Sequence, residues 1–287
     1  MTAKKKAPEG DLSTYACESF ARGGVVHPVY RKGSGPAVLV ITEMPGISPQ
    51  MLGFADRLVA LGFSVALPQL FGVPGFDLAR AAAPARLRSA ARVVYDVCVS
   101  REFTMLATGR SSPVVDWLRA LAVHEHERCG GPGVGAIGMC FTGGFALAMA
   151  TEPRVLVPVL SQPSLPLGLT ARQRRTIDCG PHELATVADR CARDGLRVLG
   201  LRFHGDPLVP AERFAFLRER LGDGFVAVEL DQRDGHPEEL LKKHHSVLTG
   251  GLVDEPGEPT HAALQQVLAL LQRKLLPARP SDEPSSA

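Results

Sequence analysis

Hydrophobic and polar positions along this chain follow two periods in turn: short apolar runs, then longer stretches with apolar residues three and four apart. Ala37-Val-Leu-Val-Ile-Thr42 is a continuous apolar run of the kind that forms a strand buried on both faces. A helical pattern follows over Gln50 to Leu61, and Phe63-Ser-Val-Ala-Leu67 is a second strand. Strand, helix and strand in about thirty residues predict a parallel crossover. The alternation continues with helices over Ala85–Val99 and Pro113–His124, then a strand from Val134 leading into a small-residue helix that ends near Ala150. A strand over Val155–Leu160, a helix over His182–Arg193 and a strand over Arg197–Phe203 come next. A helix over Pro210–Leu221, a strand over Phe225–Leu230 and a helix over Pro259–Leu275 close the series. The pattern never resets and shows no internal repeat. It therefore predicts an α/β protein with a single doubly wound, mostly parallel sheet and helices on both faces. Residues 13–276 are expected to form this domain, with residues 1–12 and 277–287 as mobile tails rich in Lys, Ala, Pro and Ser.

Composition narrows the function. The chain has 287 residues, 45% of them hydrophobic and 22% charged, enough for a sizeable core. A net charge of +2 lacks the concentrated basic field of a nucleic-acid binder. No run of about 18 apolar residues is present, and Met1-Thr-Ala-Lys-Lys-Lys-Ala-Pro8 has no apolar stretch after its charges, so neither a membrane span nor a signal peptide is expected. The six cysteines form no C-x-x-C pair, which fits reduced thiols and a cytoplasmic setting.

The chemistry centres on Val134-Gly-Ala-Ile-Gly138-Met-Cys140-Phe-Thr-Gly143-Gly144. A strand that runs into glycine, turns at Cys140 and leaves on a helix has the layout of a nucleophile elbow with cysteine in place of serine. A thiol at a helix start faces free N–H groups and a partial positive charge, both of which favour thiolate. A cysteine in an apolar run is ordinarily plain core, and the flanking glycines separate Cys140 from that reading.

In doubly wound sheets ligands gather at the carboxyl ends of the strands. Those ends carry Glu43-Met-Pro-Gly46, then Cys140, then His204-Gly-Asp206-Pro-Leu-Val-Pro210, and last a loop with His236, His244 and His245. Nucleophile, acid and histidine thus follow in the order of an α/β-hydrolase triad. His245 is favoured as the base because its Ser-Val-Leu context leads into the final helix; His236, six residues after the last strand, is the alternative. An oxyanion hole would use the backbone N–H of Phe141 and, from the loop after the first strand, that of Met44. His124-Glu-His126 near Cys129 reads as a solvated helix end, so no metal is expected, and no cofactor is called for.

Taken together, Gly138-Met-Cys140-Phe-Thr-Gly-Gly144, Asp206-Pro-Leu-Val-Pro210, Glu43-Met-Pro-Gly46 and His245-Ser-Val-Leu248 resemble the dienelactone hydrolase family over about residues 35–275. The resemblance implies an α/β-hydrolase fold and hydrolysis of a small-molecule ester or lactone through a Cys140–His245–Asp206 triad. It also implies that Glu43 contacts the resting thiol. Two positions depart from the family: Thr142 stands at an elbow glycine, and Thr249 stands where members carry an arginine for a substrate carboxylate. Arg101 is the remaining candidate for contacting such a carboxylate. Two rival readings stay open: a glutaminase-like thiol amidohydrolase using Cys140, His236 and Glu238, and a non-catalytic hydrolase-fold protein or thiol redox sensor. Oligomeric state leaves no mark in the sequence.

Overall fold

A computed structural model describes residues 4–78, 80–99, 108–237, 239 and 244–277. Its framework is one sheet of eight strands: β1 (Ala16–Arg22), β2 (Val25–Gly33), β3 (Ala37–Ile41), β4 (Ser64–Pro68), β5 (Val134–Met139), β6 (Val155–Ser161), β7 (Val198–Phe203) and β8 (Phe225–Leu230). Their spatial order is β1-β2-β4-β3-β5-β6-β7-β8, with β1 and β2 antiparallel and every pairing from β4 to β8 parallel.

The central strands explain themselves from sequence. In β3, Ala37, Leu39 and Ile41 point into one core, while Val38 and Val40 point into the other. This period of two, apolar on both sides, is what a strand covered on both faces requires. Helices α1 (Pro49–Ala60) and α8 (Pro259–Leu275) cover one face through residues such as Met51, Phe54, Leu264 and Leu271. Helices α3 (Val114–Cys129), α4 (Gly143–Met149), α6 (Pro181–Arg193) and α7 (Ala211–Leu221) bring Leu118, Phe145, Leu184 and Phe214 to the opposite core. Helix α2 (Ala83–Val99) and the single turn α5 (Ala171–Arg174) complete the α-helices among the described residues. Ser48 starts α1 by accepting a hydrogen bond from the Met51 N–H, with Pro49 in the first turn.

Strand β3 lies between β4 and β5, so chain order reverses there. The loops leaving β3 and β5 depart to opposite faces, toward α1 and α4. A crevice therefore opens at their carboxyl ends. It receives Glu43 and Cys140.

Two findings differ from the sequence expectation. The β1–β2 hairpin shows no signature because β1 is largely exposed on both faces and so lacks alternation. Its tight turn is made by Gly23 and Gly24, both at positive φ, as a two-residue hairpin loop demands. Residues 4–12, expected as a mobile tail, lie against the domain: Lys6 bridges Val253, the Gly10 N–H donates to Pro49 and Lys4 pairs with Glu258. The expected C-terminal tail falls, beyond Pro277, outside the described residues.

Candidate active site

Strand β5 ends at Met139, and Cys140 turns the chain with φ +53°, a left-handed conformation that costs a residue with a Cβ. The turn is a short 3-10 helix, Cys140–Thr142, running into α4. Gly138 is obligatory here, because a Cβ at that position would lie 2.2 Å from the Thr142 carbonyl oxygen. Thr142, the departure from an all-glycine elbow, fastens the turn. Its Oγ1 accepts the Met139 N–H at 3.0 Å and donates to the Ile41 carbonyl at 2.9 Å, tying the elbow to the end of β3. Phe141 packs edge-on against Phe71 and Phe145, walling that side with aromatic surface.

The loop after β7 supplies Asp206. One carboxylate oxygen accepts the Leu208 N–H at 2.9 Å, which shapes the turn. The other accepts the Nδ1–H of His245 at 2.6 Å. Both side chains are buried. The remaining ring nitrogen of His245, Nε2, is buried with no hydrogen-bond partner among the described residues, and it lies beside Cys140. Burial pulls the imidazolium down, but the charge of the Cys140 sulfur, the hydrogen bond to Asp206 and the contact with Cys140 outweigh it. The ring is held well above its ordinary value of 6.5. Glu239 steadies the loop by accepting the N–H groups of His245 and Ser246 at 3.0 and 2.8 Å.

Glu43 takes a different place from the one the resemblance implies. Its hydrogen bonds come from Thr249 to one oxygen, and from Ser246 and Gln162, each at 2.9 Å, to the other. Its partners thus lie on the loop bearing His245 and at the end of β6, and the thiol is not among them. Burial raises Glu43 above the usual carboxylate range, against the opposing pull of Thr249, His245 and Ser246. Thr249 fills its position by serving this carboxylate.

The thiol instead meets Ser164, whose Oγ is 3.5 Å from Sγ. Ser164 belongs to the loop after β6, and its N–H donates to the Cys140 carbonyl at 2.9 Å. Arg213, fully buried on α7, holds this loop by donating to the carbonyls of Pro163, Pro166, Gln173 and Thr176, and it reaches Leu208 beside the acid. Sequence reasoning missed Gln162, Ser164 and Arg213. The available signal was the proline-bracketed segment Gln162-Pro-Ser-Leu-Pro166 directly after a strand.

His236 is buried as well, but its Nε2 is 3.0 Å from the Lys4 carbonyl oxygen, and its backbone N–H donates to the Gly251 carbonyl at 2.9 Å. The structure therefore brings Cys140, His245 and Asp206 together and directs His236 elsewhere. Met44 is exposed at the rim, next to Glu43. Arg101 and Glu238 lie outside the described residues. Among the described residues no group of three or more His, Cys, Asp or Glu side chains is arranged to hold a metal ion. No helix among them is long and apolar enough to cross a membrane.

An eight-stranded, mostly parallel sheet with a strand–turn–helix elbow at its switch point is the α/β-hydrolase fold. Residues 22–166 match the model of the dienelactone hydrolase family, and the chain belongs to that family of hydrolases. Solved structures share its fold at low sequence identity. A dienelactone hydrolase-like promiscuous phosphotriesterase from metagenomic libraries is 17% identical, with a TM-score of 0.56 over 91% of this chain and 98% of that one. A Klebsiella pneumoniae chain assigned as a dienelactone hydrolase is 16% identical, with a TM-score of 0.55 over 90% and 98%. The 2,6-dihydroxy-pseudo-oxynicotine hydrolase is 14% identical, with a TM-score of 0.53 over 92% and 69%. No curated protein matches the chain in sequence.

Proposed function

We propose that this chain is a cysteine hydrolase that cleaves a small-molecule ester or lactone through an acyl-thioenzyme. The observation that carries the reading is the alignment of Asp206 on His245 Nδ1, with the unpartnered Nε2 beside a thiol raised on a strained elbow. His245 takes the Cys140 proton, and the sulfur attacks the carbonyl carbon. The negative charge passes to the carbonyl oxygen, which the Phe141 and Met44 N–H groups stabilise. As the tetrahedral species collapses, the C–O bond to the leaving group breaks and the imidazolium protonates the departing alkoxide. Water, deprotonated by His245, then cleaves the thioester, and Asp206 keeps the ring oriented throughout.

Arg101 is assigned to contact any carboxylate on the substrate. A reducing compartment such as the cytoplasm suits a thiol nucleophile, and Cys17, Cys129, Cys140, Cys179 and Cys191 are free. The reading is tested by hydrolysis of a small aryl ester. Cys140→Ala and His245→Ala abolish it, whereas Cys17→Ala and His236→Ala leave it intact. Equal rates in Cys140→Ala and Cys17→Ala refute the nucleophile, and loss in His236→Ala alone exchanges the base.

A further inference from the structure

Arg213, the loop after β6 and the elbow converge on one side chain that the triad leaves unused. Ser164 is buried, its backbone N–H is bonded to the Cys140 carbonyl at 2.9 Å, and its hydroxyl faces the sulfur at 3.5 Å. The two prolines flanking it, Pro163 and Pro166, have their carbonyls gripped by the buried Arg213 guanidinium. The hydroxyl has no other hydrogen-bond acceptor among the described residues. Its placement is therefore imposed from both sides, and its proton has one destination.

We propose that the Ser164 hydroxyl is a further catalytic residue of this site, donating an O–H···S hydrogen bond to the Cys140 thiolate. The inference rests on Cys140 being the nucleophile. Its logic is one of proton inventory. When Nε2 of His245 holds the thiol proton, the sulfur has no hydrogen of its own and can only accept. A hydroxyl in contact must then donate. The bond stabilises the charged form of the thiol against the burial of its surroundings and weakens once the sulfur is acylated and neutral, since hydrogen bonds to charged acceptors are the stronger ones. Ser164 thus favours having a nucleophile ready, at some cost to the reactivity of each thiolate.

That trade gives a signature a purely structural role does not share. Alkylation of Cys140 by iodoacetamide is followed against pH in the full-length wild-type and Ser164→Ala proteins, with the labelled site confirmed by intact and peptide mass. At pH 6.5 the variant is slower by about tenfold, the scale of one lost hydrogen bond to a charged group. At the alkaline plateau of each profile the variant matches or exceeds the wild type, because a less stabilised thiolate is the better nucleophile. Ser164→Gly makes the same comparison with the Cβ removed as well, should the alanine variant not fold. Overlapping profiles, or a rate reduced equally at all pH values, overturn the proposal. Aryl-ester hydrolysis by Cys140→Ala runs in parallel: retained turnover there overturns the nucleophile assignment itself, whereas loss of turnover together with overlapping alkylation profiles overturns only the role of Ser164.

Discussion

Replacing Arg213 by methionine removes a cation that is fully buried yet donates mainly to main-chain carbonyls. The consequence can be sized from its surroundings. Burial lowers the guanidinium from its ordinary value to about 10, with the nearby Asp206 charge opposing the drop, so keeping it charged inside costs about 3 kcal/mol. Against this stand close bonds to Thr176 at 2.8 Å, Pro163 at 2.7 Å and Pro166, with longer ones to Gln173 at 3.3 Å and Leu208 at 3.4 Å. Hydrogen bonds from a charged donor contribute roughly 1.5–3 kcal/mol each, so the three close ones give about 5–9 kcal/mol. The net stabilisation is then about 2–6 kcal/mol. The cost of Arg213→Met should fall near 4 kcal/mol, because the carbonyls it orphans must find water or stay unpaired. Guanidinium unfolding followed by circular dichroism measures the loss. Arg213→Lys, with three donors on a point charge in place of a planar fork, recovers only part of it. The loop that Arg213 grips also carries Ser164 against the thiol, so ester hydrolysis should fall in Arg213→Met under conditions where the protein remains folded. A variant within 1 kcal/mol of wild type, with unchanged hydrolysis, refutes the reasoning.

Two further outcomes follow from the polar contacts at the crevice. Burial holds Glu43 above its ordinary 4.5, so the folded chain keeps a proton that the unfolded chain releases; stability should fall as pH rises from 4.5 through the folded value. Glu43→Gln abolishes that slope, and unfolding midpoints measured from pH 4 upward that run parallel in both proteins rule it out. Thr142→Val keeps the shape at the elbow but strips the Met139 N–H and the Ile41 carbonyl of their partner, costing about 1–3 kcal/mol and slowing hydrolysis, whereas Thr142→Ser retains both; unfolding and ester assays on the pair decide it.

The parallel half of the molecule was legible because burial on two faces leaves a run with no polar position to disturb it, as in β3 and β5. Strand β8 and helix α8 fall on the residues where the apolar pattern puts them. The β1–β2 hairpin was not legible, since β1 is largely exposed and the ribbon is held in place by the pairing of β2 with β4 and not by an apolar pattern in β1. Within the site, Cys140 and Asp206 were readable from local chemistry: glycines that a plain strand does not need, and an acid followed by proline after a strand. The choice between His236 and His245 was not readable in this way. Both are buried histidines in one loop, and only the path of the backbone turns one ring toward Asp206 and the other toward Lys4. Ser164 and Gln162 escaped notice because their partners are 24 and 119 residues away in sequence.

The relocation of Glu43 shows how one departure from a family pattern propagates. A threonine at position 249 presents a neutral hydroxyl that donates to Glu43, and Ser246 and Gln162 supply further donors. These donors offset part of the cost of burying the carboxyl group without drawing on the thiol, and burial still holds it above its ordinary value. The sulfur then turns to the hydroxyl of Ser164, on the opposite loop. Glu43 meanwhile joins three segments that must keep register during turnover: the loop bearing Met44, the end of β6 and the residues flanking His245. On the proposed mechanism its contribution to hydrolysis should therefore run through the placement of His245 and of the Met44 N–H, which is why glutamine, able to keep most of those contacts without charge, is the informative substitution.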